Sequence, residues 1–117
     1  MHQTERIRNL MIEAYRIAEE SQSNCYVKVY DDGDIPANIP QARSLAAFSV
    51  ARFAEAASLY YADPDIDDEM IPKLLTQFRR IIREYILVFE ENNKDLTGLY
   101  IEIDALKRLL SNSGYLD

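Results

Sequence analysis

The sequence has little histidine, cysteine or glycine, the residues on which many catalytic, metal-binding and phosphate-binding sites depend. It contains one histidine, one cysteine and three glycines, and it has no tryptophan. A single cysteine excludes an internal disulfide and agrees with a reducing compartment, so we expect a cytoplasmic protein. No glycine-rich phosphate loop is present, and no apolar run approaches the roughly 18 residues of a membrane span. We therefore expect no cofactor and no contact with a membrane.

The residues that remain for a catalytic or metal site do not form a recognisable set. His2 is the only histidine, so Cys25 lacks a catalytic partner and a carboxylate-bridged metal bundle lacks its Glu-x-x-His pairs. The alternating aspartates of residues 63–69 resemble a calcium loop, but Asp68 and Leu74 stand where that loop needs glycine and glutamate. We interpret Cys25 as a buried, inert thiol and the aspartates as a solvated turn. The chain is expected to be neither an enzyme nor a metalloprotein.

Negative charge predominates in the composition. Twenty acidic residues and 13 lysines and arginines give a formal net charge of −7. A net acidic surface repels a phosphate backbone unless a basic patch overrides it, so nucleic acid is a disfavoured partner. We interpret the basic residues of the last two predicted helices as solvated faces with ion pairs. The alternative is nucleic-acid or anion binding through them; they are Arg79, Arg80, Arg83, Lys107 and Arg108.

Apolar residues recur at steps of three and four in four stretches, which predicts four helices. The stretches cover about residues 4–22, 40–62, 68–91 and 95–112. A chain of 117 residues is one domain by size, so we treat 1–117 as a single helical-bundle domain. Four amphipathic helices with short connections predict an all-α fold, an antiparallel four-helix bundle.

One stretch between the first two predicted helices does not follow the helical period. In residues 24–40, NCYVKVYDDGDIPANIP, Cys25, Val27 and Val29 alternate with other residue types, which is the two-residue period of a strand. The Asp-Gly pair at 32–33 is typical of a tight turn, so we expect an extended or hairpin-like segment, although Pro36 weakens the ladder. The other possibility is that the stretch pairs with a second copy or with a partner's edge strand.

Several apolar and aromatic side chains fall outside the predicted core faces. Phe48 and Leu59 lie on the polar stripe of the second helix, and Leu87 interrupts the polar side of the third. Contiguous exposed apolar residues mark interaction surfaces, where tyrosine is enriched. The alternative is that these residues are core, or that residues 24–40 cover them. We predict a partner-binding surface made of Tyr26, Val27, Tyr30, Phe48, Leu59, Tyr60, Tyr61 and Leu87.

Taken together, these patterns favour a small acidic protein that acts by binding another protein. It would serve as a regulator, an adaptor, an immunity-type inhibitor or a chaperone. Its partner is a different protein or a second copy of the chain in a homodimer. Acidic surroundings would select a basic partner or steer its approach.

Overall fold

The structure, a computed structural model, describes residues 2–116, without the side chain of His2. It contains four α-helices: α1 (His2–Ser23), α2 (Ile39–Ala62), α3 (Met70–Tyr85) and α4 (Thr97–Asn112). The last residues of the third predicted helix form a separate π-helical turn, Ile86–Glu90, directly after α3. No β-strand occurs in this part of the chain, so the all-helical prediction is confirmed. We predicted that His2 is not catalytic; its side chain lies outside the part of the chain that the structure describes.

Local capping explains where the helices begin and end. The Asn38 side chain accepts a hydrogen bond from the Gln41 N–H (3.1 Å), and Pro40 occupies the first turn of α2, where no N–H is needed. The Asp68 carboxylate accepts from the Met70 N–H (2.9 Å), so α3 begins slightly later than predicted. After the π-helical turn, Asn92 takes a left-handed conformation (φ 55°) that ends the helical backbone.

The helices pack in a pattern that is compatible with a bundle. The most extensive contact joins α1 with α2, and the next joins α3 with α4. Smaller contacts between α1 and α4 and between α2 and α3 complete the set. The molecule measures 52 × 30 × 19 Å along its principal axes, so it is long and thin. No helix in residues 2–116 combines the length and the apolar character needed to cross a membrane.

The core joins large side chains from three helices with small ones from α2. Phe53 of α2 stacks on Phe78 of α3, with ring centroids 4.7 Å apart. Elsewhere α2 contributes mainly alanines to the buried face, which lets α1 approach closely. Two buried serines use this proximity: Ser49 Oγ donates to the Ala14 carbonyl and Ser21 Oγ to the Ala42 carbonyl, both at 2.6 Å.

The segment between α1 and α2 contains one antiparallel bridge. The Lys28 N–H donates to the Ile35 carbonyl (2.8 Å), and the Ile35 N–H donates back to the Lys28 carbonyl (2.7 Å). Gly33 donates to the Tyr30 carbonyl (3.2 Å) with φ at +134°, a conformation that favours glycine. The segment is therefore folded back on itself by a few backbone bonds.

Candidate functional site

Six large apolar side chains are exposed between the end of α1 and the first residue of α2. Their exposed fractions range from 40% for Tyr26 to 77% for Val29. Exposed large apolar side chains that cluster in this way are typical of interaction surfaces. We call this surface the apolar end, and it consists of Tyr26, Val27, Val29, Tyr30, Ile35 and Ile39.

The apolar end lies against the loop before α4. Cys25 and Ile39 line an open groove of about 290 Å³ together with Val88 and Leu96. Tyr26 lines a neighbouring groove of about 400 Å³ with Leu96 and with Tyr100, which is itself exposed. Leu96 borders both grooves, so apolar surface continues from the 24–39 segment onto the start of α4.

The π-helical turn lies beside the same region. Its wide hydrogen-bonding pattern includes the Glu91 N–H, which donates to the Ile86 carbonyl (3.1 Å). Ile86 is 49% exposed and lines, with Phe89, a third groove of about 340 Å³ between α2 and the turn. Arg43 and Glu90 form an ion pair (2.5 Å) at the rim of this groove. Single π-helical turns are frequent at functional sites, and Val88 of this turn lines the groove that contains Ile39 of the apolar end.

The structure distributes the eight predicted partner-binding residues over separate regions. Tyr26, Val27 and Tyr30 lie together in the apolar end. Phe48 is 56% exposed halfway along α2, on the stripe with Ser44, Arg52 and Glu55 that the sequence suggested. Three others lie at the end of α2: Leu59 and Tyr60 are partly buried against the core, and Tyr61 is exposed. The eighth, Leu87, is half-buried in the π-helical turn.

Five side chains that were not among the eight predicted partner-binding residues also contribute exposed apolar surface. Val29 follows Lys28 of the bridge, Ile35 is the other member of the bridge, and Ile39 opens α2. Tyr100 lies in a groove with Tyr26, and Ile86 lies in the π-helical turn. The alternation of residues 25–29 was the available signal for Val29. The proximity of Tyr100 to Tyr26 depends on tertiary packing, which a local pattern does not carry.

The basic residues of α3 and α4 are partly engaged within the molecule. Arg79 Nη2 donates to the Tyr61 hydroxyl (2.6 Å), and its guanidinium lies 6.0 Å from the centre of that ring. Arg108 pairs with Asp104 one helical turn earlier (2.9 Å). Lys107 lines a groove with Tyr15 of α1, whereas Arg79 faces α2. Arg80 and Arg83 are exposed on α3. Anion binding by these residues remains a prediction.

The Cys25 thiol is buried and free. Its sulfur donates weakly to the Ser21 carbonyl (3.6 Å), and burial raises the pKa of the thiol. A raised pKa lowers the thiolate fraction, which is the nucleophilic form. Within residues 2–116 no cluster of three or more histidine, cysteine, aspartate or glutamate side chains is suited to hold a metal ion.

A polar cluster surrounds the Asp68 side chain, just before α3. Asp68 accepts hydrogen bonds from Arg8 (3.1 Å) and from the Tyr115 hydroxyl (3.2 Å), in addition to the Met70 N–H. Partial burial acts to raise the pKa of Asp68, but these hydrogen bonds outweigh it and the pKa lies below its usual value. The Arg8 guanidinium lies 4.8 Å from the centre of the Tyr115 ring. These contacts tie α1, the start of α3 and the chain after α4 together.

Comparison with known proteins yields no match: no family model fits the chain, and no similar curated protein or solved structure is found.

Proposed function

We propose that this chain is a protein-interaction module that binds another protein through the apolar end. The observation that carries the proposal is the exposure of six large apolar side chains in one short segment. Burying such side chains stabilises a complex by roughly 25 cal/mol for each Å² removed from water. Exposed apolar surface at Tyr100, which lines a groove with Tyr26, enlarges the area available to a partner.

The arrangement of the helices supports this assignment. We infer that α1 and α2 run antiparallel, because Arg6 near the start of α1 pairs with Glu55 late in α2, and Ser21 late in α1 bonds to Ala42 early in α2. In the same way, we infer that α3 and α4 run antiparallel, because Gln77 of α3 bonds to Glu102 of α4 (2.9 Å to its carbonyl), and Glu84, later in α3, lies against Gly98, earlier in α4. Antiparallel helices place the α1–α2 connection at one end of a bundle, and we infer that this connection is a short hairpin presented to the partner.

The charge of the chain favours a basic partner. The formal net charge is −7, and Asp31, Asp32 and Asp34 are all exposed beside the apolar end. Complementary charge speeds association and selects among partners. A regulator, an adaptor, an immunity-type inhibitor or a chaperone, acting in the cytoplasm, would each fit these properties.

A charge substitution in the apolar end tests the proposal. We expect Val29→Asp to abolish association with the partner while leaving thermal stability unchanged, because Val29 is 77% exposed. The matched control is Thr76→Asp, which adds the same charge at an exposed position of α3. The measurement is quantitative affinity capture from cell extract, comparing both variants with the unaltered protein. If both variants capture one partner equally well, the apolar end is not the binding surface.

A third variant, Phe48→Asp, tests whether the binding surface extends to the middle of α2. Since Phe48 is 56% exposed, we expect this variant to have the same melting temperature as the unaltered protein. Loss of capture with an unchanged melting temperature would place Phe48 in the surface; full capture would confine binding to the apolar end.

A further inference from the structure

The backbone at Val27 and Val29 presents a free edge. Both the N–H and the C=O of Lys28 bond to Ile35. Successive residues of an extended chain direct these groups to opposite edges, so the groups of Val27 and Val29 point away from Ile35. Within residues 2–116 neither residue makes a backbone hydrogen bond. Two donors and two acceptors are therefore available on one side of the segment.

The other side of the segment is less able to accept a strand. Pro36 lies there, beside Ile35, and a proline has no N–H to donate to a ladder. Two further backbone hydrogen bonds order the segment. At its two ends the Asn38 N–H donates to the Asn24 carbonyl (2.8 Å), and at its turn the Gly33 N–H donates to the Tyr30 carbonyl. An edge that is already ordered loses less conformational entropy when a partner binds.

The side chains around the free edge indicate the chemistry of the partner. Val27 and Val29 are 58% and 77% exposed and alternate with Lys28, so they offer apolar contacts on one face. The turn next to this edge carries Asp31, Asp32 and Asp34, all exposed. Three carboxylates within four residues, against one lysine in the strand-like part, complement a segment with positive charge.

We propose that an extended, basic segment of a partner protein adds as a β-strand to the edge formed by Val27–Val29. This inference rests on the proposed function and specifies both the mode of binding and the class of partner. Main-chain hydrogen bonds to Val27 and Val29 supply affinity, and contacts with the valines and the aspartates supply specificity. A second copy of this chain fits less well, because it would bring another three aspartates to the same small sheet.

The test uses a synthetic peptide of alternating lysine and valine, six residues long, titrated into the ¹⁵N-labelled full chain. We expect the amide signals of Val27 and Val29 to shift and their hydrogen exchange to slow. Binding should weaken as salt is raised, because the aspartates contribute. A peptide of alternating glutamate and valine serves as the control for charge, and the same basic peptide with alternate N-methylated amides serves as the control for backbone bonding.

Two variants separate the backbone edge from the side chains. Val29→Pro removes the outward N–H, whereas Val29→Thr keeps it and keeps a β-branched side chain. We expect Val29→Pro and the N-methylated peptide each to weaken binding by about tenfold or more, the effect of losing one or two hydrogen bonds, and Val29→Thr to bind almost normally. The N-methylated peptide needs no change in the protein, so it decides the question even if Val29→Pro perturbs the segment.

Each other outcome overturns the inference in a distinct way. Equal binding of the N-methylated peptide would show that no strand is added, and equal binding of the acidic peptide would show that the partner is not selected by charge. Protection of Val27 and Val29 that rises with protein concentration alone would assign the edge to a second copy. If Val29→Asp abolishes capture of the partner but Val29→Pro does not, the proposed function stands and the strand addition fails.

Discussion

Tyr85 places a polar group in the hydrophobic core. Its hydroxyl is buried and makes no hydrogen bond among the described residues. Burial raises its pKa, and the nearby Ser49 and Ser21 hydroxyls counter only part of this effect. Those two serines already donate to carbonyls of the α1–α2 contact. The ring of Tyr85 also lines the groove beside the π-helical turn, so the hydroxyl is a polar group beneath an apolar surface.

We expect Tyr85→Phe to leave the free energy of unfolding unchanged or to raise it by about 1 kcal/mol, because a buried hydroxyl without a partner costs roughly that much or more. Urea denaturation of the two proteins measures the difference. Ser49→Ala is the comparison, since it removes a hydroxyl that does donate, and it should destabilise by about 1 kcal/mol. A similar loss in Tyr85→Phe would show that the tyrosine hydroxyl is bonded to one of the serines.

Asp68 provides a residue-level prediction about pH. Its side chain is 14% exposed, and its lowered pKa means that the folded state favours the carboxylate. The resulting stabilisation is complete above the unfolded-state pKa of about 3.9 and disappears as the pH falls through the lower folded-state pKa. We expect Asp68→Asn to cost about 1–2 kcal/mol at pH 7 and much less near pH 2.

Thermal unfolding across this pH range measures the effect. The control is Asp67→Asn, which changes an exposed neighbouring aspartate that makes no ion pair in the described part of the chain. A pH-independent difference between Asp68→Asn and the unaltered protein would contradict the role of the ionised carboxylate.

At the scale of the elements, the helices were predictable from the sequence because their buried residues recur every three or four positions. In α3, for example, Ile71, Leu74 and Phe78 repeat the helical period, and all three are buried. The π-helical turn was not predictable, because Val88 and Phe89 continue the apolar period of α3, and that period does not distinguish a π-helical turn from a further α-helical one. The alternation at 25–29 correctly indicated a non-helical segment, but it did not show which backbone groups remain free.

The candidate site was predictable only in part, for a related reason. Periodicity identifies which side of a helix a residue occupies, and of the two alternatives it left for Phe48, the exposed one is observed. It does not show which elements lie next to that side. Leu59 and Tyr60 pack against the core. Packing of distant parts of the chain places Tyr100 in one groove with Tyr26, and Ile39 in another with Val88 and Leu96.

The turn of the 24–39 segment gives an element-level prediction. Because Gly33 has a φ of +134°, an alanine there would be strained by about 1 kcal/mol or more. We expect Gly33→Ala to speed hydrogen exchange at the Lys28 and Ile35 amides, which form the bridge, while exchange within α1 and α2 is unchanged. Hydrogen exchange by NMR measures both. Slower exchange throughout the chain, or unchanged exchange at the bridge, would mean that the turn does not hold this segment together.

At the scale of the whole molecule, charge and shape both bear on self-association. A net charge of −7 on a chain of 117 residues opposes the approach of a second copy. We therefore expect light scattering coupled to size exclusion to give the mass of a monomer at all concentrations tested and at moderate salt. A dimer whose population is independent of concentration would instead assign the apolar end, or Phe48, to contacts between copies.

The two serine hydroxyls between α1 and α2 have a consequence for how these helices find their alignment. The bonds involve Ala14 and Ser21 on one helix and Ala42 and Ser49 on the other, a spacing of seven residues in each case, 14 to 21 and 42 to 49. Alanines are nearly interchangeable in shape, so an alanine-rich face would tolerate several longitudinal offsets. A shift by one helical turn would lose both hydroxyl–carbonyl bonds and leave two buried hydroxyls without partners. The serines therefore select one offset among those that the alanines alone would allow.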